Sequence, residues 1–141
     1  MLGLGAGARS YTRALHYSTP WKMTARNIRA TVADYESAWQ AGDAHIRHGF
    51  ALDADEQRRR FVILSLLYDG LDMTAFAAAF GADARMLFGP QWEVLLEEGC
   101  VRDEGTAFRL TARGLRHADV VGHLFFSRRV RHLMDSFEYD R

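Results

Sequence analysis

The sequence predicts a mainly α-helical chain carrying one short β-hairpin, and three observations lead there. Apolar residues recur at steps of three and four from about residue 23 onward. Asp53, Asp83 and Thr111 stand directly before such runs, where a side-chain oxygen can cap a helix. Finally, Cys100-Val101-Arg102 and Phe108-Arg109-Leu110 flank Asp103-Glu104-Gly105-Thr106, the pattern of two strands around a turn.

Residues 1–20 show no helical period and are rich in loop and strand formers. Within them lies Gly3-Leu4-Gly5-Ala6-Gly7-Ala8-Arg9-Ser10, whose alternate glycines let a backbone come close to a ligand or a neighbouring strand. Such a stretch normally follows a buried strand and almost nothing precedes it, so the chain is expected to start partway through a larger unit. From about Met23 to Ala41, Ile28, Val32, Tyr35 and Trp39 share one helical face that stops at Gly42. His45 to Leu52 partly alternates and is expected to be extended. Asp53 then caps a helix with acids in its first turn; Arg58-Arg59-Arg60 follows. The run Phe61 to Tyr68 is apolar nearly all round, which predicts a buried central helix ending near Asp69-Gly70.

Leu71-Asp72 leads to a short helix from Thr74 to Phe80, closed by Gly81. The Asp83 helix is interrupted at Gly89-Pro90 and resumes through Trp92, Leu95 and Leu96 to Gly99. Beyond the hairpin, Thr111 opens a single helix carrying Leu115, Ala118, Val120, Val121, Leu124 and Phe125. A last short helix presents Val130, Leu133, Met134 and Phe137. Residues 53–126 thus run helix, short helix, helix, two-stranded wing, helix. That is the order of a winged-helix domain, an architecture that serves many functions.

At 141 residues and 48% hydrophobic, the chain can bury a core as one domain, or one domain with an appendage. Eighteen basic residues balance eighteen acidic ones, so charge points to no nucleic acid, membrane or acidic partner. The expected recognition helix, residues 83–98, sets Asp83, Glu93, Glu97 and Glu98 against Arg85 alone, and the wing adds Asp103 and Glu104. Acids aimed at phosphates forfeit the attraction that drives non-specific DNA binding. A free-standing winged-helix module for DNA or protein is therefore the alternative reading. The one cysteine, Cys100, excludes an internal disulfide framework and a cysteine-built metal cluster; it reads as a small core residue. No apolar run reaches membrane-spanning length and no signal-peptide pattern opens the chain, so a cytoplasmic location is expected.

No catalytic or metal-ligating set is expected. His45 and His48 would point to opposite faces of an extended segment. His117 and His123 are six apart and do not stack on a helix, whereas His123 with Asp119 makes an i, i+4 pair. Trp21, Trp39 and Trp92 read as packing. Arg58, Arg59 and Arg60 form either a solvated face paired with Asp55 and Glu56 or a carboxylate clamp. The glycines lack the lysine of a P-loop, and read as a dinucleotide fingerprint they have no strand before them and no helix after.

Six segments occur in one order: Gly3 to Ser10, Arg59-Arg60-Phe61-Val62-Ile63-Leu64-Ser65-Leu66, Leu71-Asp72, Glu98-Gly99-Cys100-Val101, Leu110-Thr111-Ala112-Arg113-Gly114 and Ala118-Asp119. This ordered set, over nearly the whole chain, resembles the C-terminal part of radical S-adenosylmethionine proteins of the oxygen-independent coproporphyrinogen III oxidase type. The resemblance implies that the glycine-rich motif ends a strand of a partial (β/α) barrel and lines the S-adenosylmethionine site. Gly5, Ala6, Gly7, Ala8 and Arg9 match the segment that approaches this cofactor; Arg9 departs from the apolar residue or histidine common in relatives. The implied division is a barrel remnant over 1–22, a linking helix and extended segment over 23–52, and a winged-helix-like domain over 53–141. The implied full-length parent is an oxidoreductase of porphyrin biosynthesis using S-adenosylmethionine and a 4Fe-4S cluster. Its cluster motif, C-x-x-x-C-x-x-C, is not in this chain, which alone is expected to hold neither cofactor and to be inactive. The implied partners are the N-terminal barrel domain and a porphyrinogen-like small molecule, with Arg58, Arg59 and Arg60 as its carboxylate contacts; no nucleic acid and no membrane are implied.

Overall fold

The computed structural model describes residues 1–20, 25–44 and 46–136. Trp21, the expected helix start at Met23, His45 and Phe137 lie outside the described residues. The chain is mainly helical, with eight helices and two small antiparallel sheets among the described residues, and divides into two units, Met1–Gln57 and Arg58–Arg141.

In the first unit, β1 (Arg9–Tyr11), β2 (Leu15–Ser18) and β3 (His48–Ala51) form a sheet in the order β1-β2-β3, with Tyr17 opposite Ser10 on one side and Gly49 on the other. Strand formers in residues 9–18 thus become a hairpin, whose bend Thr12 ties by accepting the Leu15 amide at 3.0 Å and donating to the Leu15 carbonyl at 3.1 Å. Ahead of the sheet, Met1 pairs with Tyr11 through two backbone bonds of 2.9 and 3.0 Å.

Helix α1 (Ala25–Gln40) occupies the expected span, but its expected apolar face is largely solvent-facing. Ile28, Val32 and Trp39 are 48%, 41% and 67% exposed. The less exposed side runs through Asn27, Thr31, Tyr35 and Ala38 instead. Thr31 tolerates burial because its hydroxyl donates to the Asn27 carbonyl, 2.8 Å away in the preceding turn. Periodicity identifies an apolar face; it does not supply the surface that would cover it.

Helix α2 (Ala54–Tyr68) begins as the sequence predicts, with the Glu56 amide donating to Asp53 Oδ1 at 2.9 Å. It is not buried all round. Val62 and Leu66 face the core, whereas Leu64, Leu67 and Tyr68 are exposed. A core this small receives one face of a helix, so four apolar residues in succession cannot all point inward.

The second unit continues with β4 (Leu71–Asp72), α3 (Met73–Phe80), α4 (Ala84–Leu87), α5 (Gly89–Glu97), β5 (Val101–Asp103) and β6 (Ala107–Leu110). The β5–β6 hairpin is as expected. A third strand, β4, also pairs with β6, placing Leu71 opposite Phe108. The expected single helix after Thr111 is two: α6 (Ala112–Arg116) and α7 (Ala118–Leu124), parted at His117, whose φ of −113° and ψ of 25° leave the helical range. Last comes α8 (Arg128–Asp135), capped when the Val130 amide donates to Ser127 Oγ.

Val62, Leu66, Leu71, Phe76, Ala84, Phe88, Trp92, Leu95, Val101, Phe108, Val121 and Phe125 form one core. Trp92 stacks on Phe108 at 4.3 Å, and its indole N–H donates to the Ala84 carbonyl at 2.9 Å, so a large ring is buried with its polar group satisfied. Cys100 is buried in the same core, as expected of a small core residue. No helix among the described residues is long and apolar enough to cross a membrane.

Candidate functional site

The glycine-rich stretch folds into a turn ahead of β1. The Ala8 amide donates to the Gly5 carbonyl at 3.2 Å, closing a four-residue turn. Gly7, its third residue, has φ +74°, as a type II turn requires. Gly5 has φ +109°, and a Cβ built there would meet nothing within 4 Å, so conformation, not crowding, calls for glycine. The Thr19 hydroxyl donates to the Gly5 carbonyl at 3.0 Å, and the Gly5 amide donates to Tyr35 Oη at 3.1 Å. Among the described residues, the Ala6 and Gly7 amides make no hydrogen bond. Arg9 is exposed and opens β1 opposite Ser18.

Arg58, Arg59 and Arg60 occupy the second turn of α2, and all three are half-buried, so they are not a fully solvated face. The Arg59 guanidinium lies 5.4 Å from the Phe88 ring centroid and donates to the Phe125 carbonyl at 3.2 Å, which ties it to the core of its own unit. Arg58 Nε is buried without a hydrogen-bond partner among the described residues, a costly state for a cationic donor.

The charges of the 83–104 region largely satisfy one another. Arg85 forks onto Asp103, with Nη2 to Oδ1 at 2.7 Å, and also donates to the Gly105 carbonyl at 2.7 Å. The hydrogen bond from Arg85 is the main reason the Asp103 carboxyl falls to a pKa of about 2. Glu104 accepts from Arg102 at 2.6 Å and from Arg109 at 2.9 Å, which holds its carboxyl below the ordinary range. Arg109 also reaches Asp69 at 2.7 Å, and these two carboxylates keep its guanidinium pKa raised. The one basic residue of the expected recognition helix is thus committed to the hairpin.

Of the histidines, His48 lies on β3 opposite Ser18, His117 separates α6 from α7, and the His123 ring meets Phe126 edge-on at 4.8 Å. No group of three or more His, Cys, Asp or Glu among the described residues could hold a metal ion. Trp39, read as packing, is exposed; Trp92 is packed.

Two of the ordered motifs meet in space. Thr111 Oγ1 donates to the Gly99 carbonyl at 2.7 Å and accepts the Gly114 amide at 3.1 Å, while Arg113 reaches Glu98 at 2.5 Å. Glu98 to Val101 and Leu110 to Gly114 therefore build one joint between β5 and α6. Thr19 and Tyr35 were not singled out as site residues, since hydrogen bonds spanning 14 and 30 residues leave no local pattern.

Residues 52–117 match the family described as the HemN C-terminal domain. The chain is also similar to a solved structure of coproporphyrinogen III oxidase (HemN) from Escherichia coli, described as a radical SAM enzyme, with a TM-score of 0.61 at 20% identity over 86% of this chain. At that identity the likeness is one of fold. The chain spans 27% of the length of that relative. No curated protein sequence matches it significantly. The resemblance carried by the ordered motifs is thereby shown, and the DNA-binding alternative is not favoured.

Proposed function

We propose that this chain is the substrate-covering C-terminal region of a radical S-adenosylmethionine oxidoreductase resembling oxygen-independent coproporphyrinogen III oxidase. The observation that carries the reading is the family match over residues 52–117, set inside a fold likeness covering 86% of the chain. In this reading residues 1–22 are the end of the barrel, 23–52 link, and 53–141 form a winged-helix-like domain with β5 and β6 as the wing.

The glycine turn suits a ligand on physical grounds: it leaves open space beside Gly5 and two amides, of Ala6 and Gly7, with no partner among the described residues. Gly5, Ala6, Gly7, Ala8 and Arg9 would border bound S-adenosylmethionine, which supplies the radical that takes hydrogen from the substrate. Here the chain's part is to orient, since none of these residues carries a group that moves a proton. Arg58, Arg59 and Arg60 would be the carboxylate contacts for a porphyrinogen-like substrate, with Arg59 also donating to the Phe125 carbonyl. The residues present do not fit the iron–sulfur cluster, because the single cysteine is buried just ahead of β5 and one thiolate cannot hold it.

The test is the DNA upstream of the Met1 codon. An in-frame open sequence encoding three clustered cysteines is expected; a ribosome-binding site directly before Met1, with a stop codon just upstream, overturns the reading. Anaerobic iron and sulfide reconstitution of the chain should give no cluster absorbance, and a stoichiometric cluster would contradict its inactivity alone.

A further inference from the structure

Both backbone polar groups of Gly5 are held by side chains from outside the glycine-rich stretch. Tyr35, from the middle of α1, accepts its amide at 3.1 Å; Thr19, just after β2, donates to its carbonyl at 3.0 Å. Thr19 also donates its own amide to the Ala8 carbonyl at 3.2 Å, so it grips both ends of the turn. A glycine at φ +109° has many competing conformations, and a four-residue turn with one closing bond would sample them. Apolar burial of the helix face does not account for Tyr35, because its companions Ile28, Val32 and Trp39 on the expected stripe are exposed. Its ring is half-buried with the hydroxyl delivered to Gly5.

We propose that Tyr35 and Thr19 are positioning residues for the cofactor end of the site. They lock the Gly5–Ala8 turn so that the Ala6 and Gly7 amides hold one direction before S-adenosylmethionine arrives. The inference rests on reading Gly5 to Arg9 as the cofactor-bordering segment. Pre-ordering of this kind raises affinity by removing the entropy cost of fixing the loop on binding.

The test has two arms. In the chain itself, Tyr35→Phe and Thr19→Val should each speed hydrogen exchange at the Gly5 or Ala8 amide by about fivefold, the worth of one hydrogen bond. Exchange in β1 to β3 and the Tm should not move, and Thr19→Ser should restore protection. In the longer protein that the reading requires, the same variants should weaken S-adenosylmethionine binding by a similar factor, read by equilibrium dialysis, with Gly5→Ala as the reference. If Gly5→Ala weakens binding while Tyr35→Phe and Thr19→Val do not, the positioning role is overturned and the site reading stands. If Gly5→Ala leaves binding unchanged, the site reading falls and this inference with it. Faster exchange with unaltered affinity also overturns it, because the clamp would then serve the fold alone.

Discussion

At Gly114 the chain has no room for a methyl group. A Cβ there would sit 1.9 Å from the Cys100 carbonyl oxygen, a backbone atom fixed by β5 and by the Thr111 amide. Gly114→Ala should therefore force α6 off the sheet and cost about 3 kcal/mol, read as a lowered urea midpoint. A loss below about 0.5 kcal/mol would show that the joint can yield. Asp103 gives a pH signature. Its pKa is 3.8 as the ordinary value and about 2 when folded, so its bond to Arg85 stabilises the fold above the ordinary value. That contribution is lost as pH falls from 3.8 towards about 2. The side chain is 35% exposed, so solvent screening reduces its worth to about 0.5–1 kcal/mol. Asp103→Asn should flatten the stability–pH curve in that window and nowhere else. Local chemistry made residues such as Asp53, Asp83 and Thr111 readable, since a cap bonds within three positions. Gly114 was noticed as part of a motif, but its reason lies in the Cys100 carbonyl, fourteen residues earlier.

Among the elements, the β5–α6 joint depends on Thr111, which caps α6 through the Gly114 amide and reaches back to the Gly99 carbonyl. Thr111→Val keeps the shape and removes both bonds, so a loss of about 1–2 kcal/mol is expected in denaturant titration. Thr111→Ser should recover most of it; equal losses in the two variants would locate the effect in the methyl group instead. Helices α1, α2, α3 and α5 were legible because their apolar residues repeat. Strand β4 was not, because two residues carry no period, and Asp72 serves both as partner to Ala107 and as N-cap of α3. The α6–α7 break was hidden for a related reason: Leu115, Ala118 and Val121 keep helical spacing across His117. The exposed stripe of α1 shows the opposite limit: its spacing correctly marks a helical face but does not tell whether that face is covered.

For the molecule as a whole, every core residue from Val62 to Phe125 lies in the second unit. A chain of residues 53–141, which keeps the Asp53 cap, should fold by itself with a cooperative thermal transition and dispersed amide resonances. A broad transition with collapsed resonances would mean that residues 1–52 complete its core. The resemblance was legible from the order of short motifs, and that order has a physical basis: Glu98 to Val101 and Leu110 to Gly114 are partners in one joint. The candidate site was legible only in part. Its glycines announce themselves by composition, whereas Tyr35 and Thr19 enter through tertiary hydrogen bonds that no spacing rule encodes.

Trp92 and Trp39 belong to different units; the first is 3% exposed and stacked on Phe108, the second 67% exposed on α1. Light distinguishes such neighbourhoods. Trp92 should emit at short wavelength and resist iodide, and Trp39 should emit at long wavelength and be quenched by it. With Trp21 replaced by phenylalanine, the chain would carry its own two-channel recorder, reporting which half is folded without any added label.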